Sequence, residues 1–355
     1  GSFKSAGPLT RTSRYTTLQE ETRFTAKTRT QPARLFLSAV LKMSGNRIVR
    51  VACVFATFLT RYVQSTPSCH LRERPLDHLY VCTGFTRPSD FEELIQRPLF
   101  YPNMTFVLQN STLDHLPAGA FASLNVKDLE LRNVQVTSFA GHDTVPFSGL
   151  ETTLRKISFT EDSSLPESWS VLRDLKNLTA VGLARMSRLN LTRDIENLPS
   201  NVRTIAVVAS GVESVDPNWL SNMDKLGAVV LRSSKFGQVT RAMFPATAPN
   251  MWRIDLHSAG LTSIPTGFNE GMPSLKYLDL GNNNITTIDE AVVTALFDVG
   301  VTKLSLYDNP LQCDCSLSFI VNHPDPPIRG TCATPSSLKH RSVTTLTTEQ
   351  LCESS

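Results

Sequence analysis

The segment LKYLDLGNNNITTI, Leu275 to Ile288, recurs in outline through most of this 355-residue chain. Its apolar spacing, L-x-x-L-x-L-x-x-N-x-L, returns in LGAVVLRSSKFGQV from Leu226, MWRIDLHSAGLTSIP from Met251 and VTKLSLYDNPL from Val301. Anchored on the second apolar residue of each L-x-L pair, the copies fall at Leu108, Leu131, Phe159, Leu183, Val207, Leu231, Leu256, Leu280 and Leu306, in steps of 23, 28, 24, 24, 24, 25, 24 and 26 residues. A unit that short cannot bury its own apolar side chains and must stack on its neighbours. The alternation around each pair is the period-two pattern of a short strand. Stacking such units predicts an α/β repeat solenoid, a horseshoe with a parallel concave sheet whose inward side chains form one continuous core.

The period lies within the range of leucine-rich repeats. In that repeat the Asn position satisfies backbone groups in the turn after the strand, and here only Asn283 and Asn309 keep it. Ser111, Asp162, Ser210 and Ser234 are polar substitutes, whereas Val134, Met186 and Ala259 cannot serve; the repeats before Asn283 are therefore degenerate, and irregular turns are expected among them.

Charge and cysteine are distributed unevenly. Residues 1–42 carry eight Lys/Arg against Glu20 and Glu21, with no apolar periodicity, and read as a non-structural leader such as a translated untranslated region; a transit peptide is the alternative. From Met43 a basic start, the apolar run Val51–Leu59 and the small, polar residues that follow read as a signal peptide, residues 43–66, with cleavage between Gln64 and Ser68. The run is too short to span a bilayer. Without residues 1–66 the formal charge of +3 becomes −6, with 24 basic and 30 acidic residues, and no electrostatic footprint for nucleic acid remains. Cys53 leaves with the signal, so six cysteines remain: Cys69 and Cys82 before the repeats, and Cys313, Cys315, Cys332 and Cys352 after them. An even number behind a signal points to bridges.

The motif NPLQCDC, Asn309–Cys315, joins the last repeat to these cysteines. By spacing alone C-x-C could anchor two bridges or act as a redox pair, and Cys313, Cys315, Cys332 and His323 could supply four zinc ligands. Its place behind a signal and at the end of a repeat array favours bridges that close the exposed core. Four cysteines allow three connectivities. NPLQCDCSLSFI followed by GTCATP and Cys352 resembles the cysteine-bridged C-terminal cap of extracellular leucine-rich repeat glycoproteins, those that are Slit-like, proteoglycan-like or Toll-like ectodomains. The resemblance covers residues 67–352 and implies the pairs Cys313–Cys332 and Cys315–Cys352. The N-terminal cap of such proteins often holds four cysteines; only Cys69 and Cys82 are present, and they are expected to pair. The non-catalytic leucine-rich repeat subunit of a shrimp luciferase is also similar in kind. The expected organisation is an N-terminal cap at 67–102, about nine repeats over 103–309 and a C-terminal cap at 310–352.

Function is expected on the concave face. Five N-x-S/T sequons, at Asn103, Asn110, Asn177, Asn190 and Asn284, predict glycosylation, and the register puts Asn177, Asn190 and Asn284 in loops or on the convex side. The outward strand positions are charged in repeat two, Asp128, Glu130 and Arg132, and in repeat seven, Arg253, Asp255 and His257. Between them stand Ala180, Gly182 and Ala184, then Thr204, Ala206 and Val208, then Ala228, Val230 and Arg232. Small and apolar residues where solvated side chains belong point to a contact for a protein partner or a second copy of the chain. His257, in line with Asp255, is a candidate pH-sensitive contact. No G-x-S-x-G, H-E-x-x-H or phosphate-binding glycine loop occurs, so neither an enzyme nor a bound cofactor or metal is expected. No apolar run of membrane-spanning length follows Cys352. The expectation is a secreted, extracellular binding module, with a truncated receptor ectodomain as the alternative and a secreted enzyme as the weaker one.

Overall fold

The computed structural model describes residues 66–73, 77–97, 99–139, 145–236 and 239–353, all within one compact unit, Gln64–Ser355. The expected leader, residues 1–42, and the expected signal, residues 43–66, lie outside the described residues except for residue 66. Sixteen strands are described: β1 (Ser68–Glu73), β2 (His78–Thr83), β3 (Leu99–Leu113), β4 (Leu124–Val136), β5 (Lys156–Thr160), β6 (Ala180–Ala184), β7 (Leu189–Leu191), β8 (Thr204–Val208), β9 (Val212–Val215), β10 (Ala228–Arg232), β11 (Arg253–Asp255), β12 (Tyr277–Asp279), β13 (Lys303–Ser305), β14 (Leu311–Gln312), β15 (Ile328–Arg329) and β16 (Cys332–Thr334).

Twelve of them form one sheet in the order β1-β2-β3-β4-β5-β6-β8-β10-β11-β12-β13-β15. Only β1 runs antiparallel to its neighbour; every later pair is parallel, as stacked copies of one short unit require. The anchors align in register, Leu108 opposite Leu131, Leu131 opposite Phe159, Phe159 opposite Leu183, Leu183 opposite Val207 and Val207 opposite Leu231. All nine are at most 2% exposed and belong to one continuous core. The expected solenoid is therefore the observed fold.

The turn after each strand has a common geometry. Asn110, Asn133, Arg185, Ala209, Ser233, Ser258, Asn282 and Asp308, each two residues past an anchor, sit at φ between 49° and 58°. None is glycine, so each repeat holds an L-residue in the left-handed region through tertiary bonding. That bonding runs between repeats: Ser111 Oγ accepts the Phe85 amide, Ser210 Oγ the Met186 amide, Ser234 Oγ the Ser210 amide, and Asn283 Oδ1 the amides of Ala259, Gly260 and Leu261. Each polar side chain thus serves the turn of the repeat before it. This corrects the expectation of irregular turns in part: at Val134, Met186 and Ala259 the amides are satisfied from the next repeat, and the turns keep the common φ. An irregular turn does occur among these earlier repeats, in the third. Both Glu161 (φ 55°) and Asp162 (φ 57°) are left-handed, and this inserted residue moves Ser163 into the Asn position that the register gave to Asp162. Ser163 Oγ takes the Val134 amide and donates to the carbonyls of Leu131 and Thr160, while Asp162 accepts the Ser187 amide at the surface.

Behind the sheet the first half of the core is aromatic. Phe85, Phe91, Phe121, Phe147, Phe139, Phe159 and Trp169 follow one another with ring centroids 5.0–6.4 Å apart. Further on, aliphatic residues replace them around the Phe244–Phe268 contact and the helix Glu290–Asp298, whose first turn is capped by the Asp289 side chain accepting from the Val292 amide. Arg241 closes an outer turn by donating to the carbonyls of Phe244, Pro245, Ala246 and Glu270.

The two ends are tied. Cys69 and Cys82 face each other across β1 and β2 and form a disulfide. At the other end Cys313 is bonded to Cys332 and Cys315 to Cys352, so the zinc alternative at NPLQCDC has no free thiolates. Leu311, Leu317, Ile320, Leu338, Val343 and Leu351 bury themselves against the last repeat, which leaves no open core at that end.

Candidate binding face

The strand alternation that buries the anchors presents the intervening residues on the opposite, concave side of the sheet. That face has three parts. On β4, Glu130 and Arg132 pair at 2.9 Å, and the Thr160 hydroxyl donates to Glu130 at 3.1 Å. Asp128 is half-buried beside them; burial pushes its carboxyl above the ordinary range, with Lys156 acting in the opposite direction.

The middle part is a trough of small side chains on β6, β8 and β10. Ala180 aligns with Thr204, Gly182 with Ala206 and Ala184 with Val208, and Ala206 continues to Val230. Ala180, Ala184, Ala206, Val208 and Val230 are all half-buried, accessible but short. Ala228 is not part of this accessible surface, being 6% exposed. It sits in register between Thr204 and Arg253, and the Trp252 indole leans against the preceding Gly227, where an added Cβ would lie 3.4 Å from the indole Cδ1.

The third part, on β10 to β15, is an ionic layer. Arg232 reaches Asp255 at 3.3 Å and Asp279 at 3.4 Å, and Arg253 reaches Asp255 at 2.9 Å. Asp255 also accepts the His257 amide and Asp279 the Gly281 amide. The Tyr277 hydroxyl donates to Asp279 at 3.1 Å; burial and then the Asp279 charge push that phenol up to about 12, so it remains a donor at neutral pH. Cations flank the Tyr277 ring, the Arg253 guanidinium at 4.8 Å and the Lys303 ammonium at 5.0 Å from its centroid. His257 Nδ1 lies 3.8 Å from Asp279 Oδ1, and a Cβ at Gly281 would come within 2.8 Å of that nitrogen, so the missing side chain makes the imidazole's space.

Besides Ala228, two sequence-derived assignments change. Asp255 is 0% exposed and acts as the buried counter-ion of Arg232 and Arg253, not as a partner-facing acid. His257, in the turn after β11, faces Asp279 as well as Asp255 of its own repeat. Arg232, Arg253 and His257 remain partly accessible. Sequence reasoning missed Tyr277, Asp279, Lys303 and Tyr307, although the same outward-position rule, carried from repeat seven into repeats eight and nine, names each of them. Trp252 (49% exposed) and Tyr307 (47% exposed) are the large aromatic side chains left open on this part of the molecule.

All five sequon asparagines are exposed. Asn103 and Asn110 lie on β3 and Asn190 on the short strand β7, outside the twelve-stranded sheet. Asn177 holds the turn before β6 by donating to the Thr152 carbonyl, and Asn284 follows the turn asparagine Asn283. None lies on the strands from β4 to β15 that form the face. Among the described residues no cluster of metal-ligating side chains occurs, and no helix is long and apolar enough to cross a membrane.

The parallel ladder, the repeating turn and the disulfide-closed ends are those of a leucine-rich repeat solenoid fold. A leucine rich repeat family model matches residues 249–311. Over 208 residues, 54% of the chain, the sequence is 27% identical to Toll-like receptor 3 of Boselaphus tragocamelus and 28% identical to Toll-like receptor 3 of Bos taurus. The match takes in 22% of the length of each receptor. A chain in the octameric complex of Latrophilin 3 (Lec, Olf), Unc5D (Ig, Ig2, TSP1) and FLRT2 (LRR) is similar at a TM-score of 0.47 and 16% identity, over 70% of this chain and 82% of that one.

Proposed function

We propose that this protein is a secreted, extracellular glycoprotein that binds another protein through the concave face of its solenoid, as a recognition, adhesion or accessory subunit. The observation that carries the reading is the trough at Ala180, Ala184, Ala206, Val208 and Val230, where half-buried small side chains on three strands are bounded on both sides by ordered charged clusters. A surface of that composition gives a partner close approach to the sheet at small desolvation cost, while the flanking charges set orientation. Three disulfides support an oxidising compartment, and sugars at Asn103, Asn110, Asn177, Asn190 and Asn284 would leave the strands of the trough clear. Similarity over part of the chain to a receptor supports protein recognition as the general role.

The double variant Ala206→Arg/Val230→Glu places two large charged side chains in the trough without touching the core. An array of extracellular proteins probed with both forms should show binding to the wild type and its loss in the variant, with equal secretion. Binding retained by the variant would refute the reading.

A further inference from the structure

The ionic layer on β10 to β15 says more about the partner. Its two carboxylates are hidden, the Asp255 side chain at 1% and Asp279 at 9% exposure, whereas its cations are open to solvent to different degrees. Arg232 and Arg253 are shared with those acids. Lys303 and Arg329 are exposed and have no carboxylate within ion-pair distance among the described residues. Arg329 stands in register with Ser305, beside the row of Asp255 and Asp279, and Ile328 next to it is buried, so the Arg329 side chain faces the concave side. This quarter of the face therefore presents four cations above two neutralised acids, on a chain whose residues beyond the expected signal carry a net charge of −6. Tyr307 occupies the outward position after β13, and Trp252 stands directly before β11 with its indole beside Gly227; both are exposed, and exposed Trp, Tyr and Arg are the residue types that most often anchor interfaces.

We infer that this quarter of the face receives an acidic segment of the partner protein, its carboxylates on Arg232, Lys303 and Arg329 and its flanking side chains against Trp252 and Tyr307. The inference rests on the concave-face reading above and adds the partner's chemistry to it. The span fits a short stretch of chain: from β10 to β15 is about 19 Å at ~4.8 Å per strand, the reach of roughly six extended residues. A nucleic acid fits less well, since four cations fall short of the roughly six to ten phosphate contacts that give such sites their affinity. Exposed pairs of this kind are salt-screened, so binding to them weakens as ionic strength rises.

A random peptide library displayed on phage tests this, selected in parallel on the wild type, on Lys303→Glu/Arg329→Glu and on Ala206→Arg/Val230→Glu. A Lys303→Gln/Arg329→Gln form guards against an effect of reversed charge on folding, and thermal melts confirm that all forms are folded. The expected result is enrichment of Asp- and Glu-rich peptides on the wild type, with affinity reduced about tenfold or more by either pair of changes at 303 and 329 and reduced by added salt. Peptides without acidic bias that bind the 303/329 variants normally but fail on Ala206→Arg/Val230→Glu would overturn the inference and leave the concave-face reading standing. Peptides that bind all forms alike would overturn both. No enrichment on the wild type, or binding of heparin or duplex RNA at the same cations without any acidic peptide, would overturn the inference.

Discussion

Asn283 shows how much one side chain carries in this fold. It is 6% exposed, accepts three amides through Oδ1 and donates through Nδ2 to the carbonyls of Leu256, Leu280 and Gly281. Replacing it by Ala strands buried groups in two successive turns, each worth about 1–3 kcal/mol. Asn283→Ala should therefore lower stability by at least about 3 kcal/mol in a urea melt, and Asn283→Ser, which retains one acceptor as Ser210 does, by clearly less. Asp128 carries the opposite sign. Its folded carboxyl titrates above the unfolded value because of burial, so the ionised form opposes folding at neutral pH, and that cost fades as pH falls through the folded value toward the ordinary ~3.9. Asp128→Asn should raise the melting temperature at pH 7, and the gain should vanish below about pH 4. The importance of Asn283 and Asn309 was legible in the sequence, because each stands three residues after its anchor, at the fixed Asn place of the repeat. The role of Ser163 was not: it depends on one inserted residue adopting the left-handed region, and neighbouring Asp162 and Ser163 are equally polar on paper.

At the scale of elements, strands were easier to read than turns or ends. Apolar alternation fixes which side of β5, β6, β8 and β10 is buried, and the anchors at Phe159, Leu183, Val207 and Leu231 lie in register as their spacing requires. Turn regularity was misjudged at Val134, Met186 and Ala259 because the polar side chain that satisfies a turn belongs to the following repeat, a long-range bond that no local motif displays. The C-terminal element is closed by bridges over sequence separations of 19 and 37 residues. On a chain-entropy basis the longer one restricts the unfolded state by about 3–4 kcal/mol. Cys315→Ser should accordingly reduce secretion and lower the melting temperature of whatever is secreted, with partner binding per folded molecule unchanged. Normal secretion coupled to lost binding would place Cys315 in a functional role instead.

For the whole molecule, the period of the sequence determines the solenoid and the solenoid determines the concave face, but the chemistry of that face arises between strands. Arg232 on β10 reaches acids on β11 and β12, and Lys303 on β13 meets a ring on β12. Such cross-strand groupings join residues one or two repeats apart in the chain, which explains why the outward positions could be listed from the register while the burial of Asp255 and Ala228 could not. The central claim, that this face is where another protein docks, is tested most directly by a photo-crosslinking residue placed in turn at Val230 in the trough and at Ala242 on the outer turn Arg241–Met243. With a binder taken from the extracellular array, the Val230 position should capture it and the Ala242 position should not. Capture at Ala242 with none at Val230 would contradict the account.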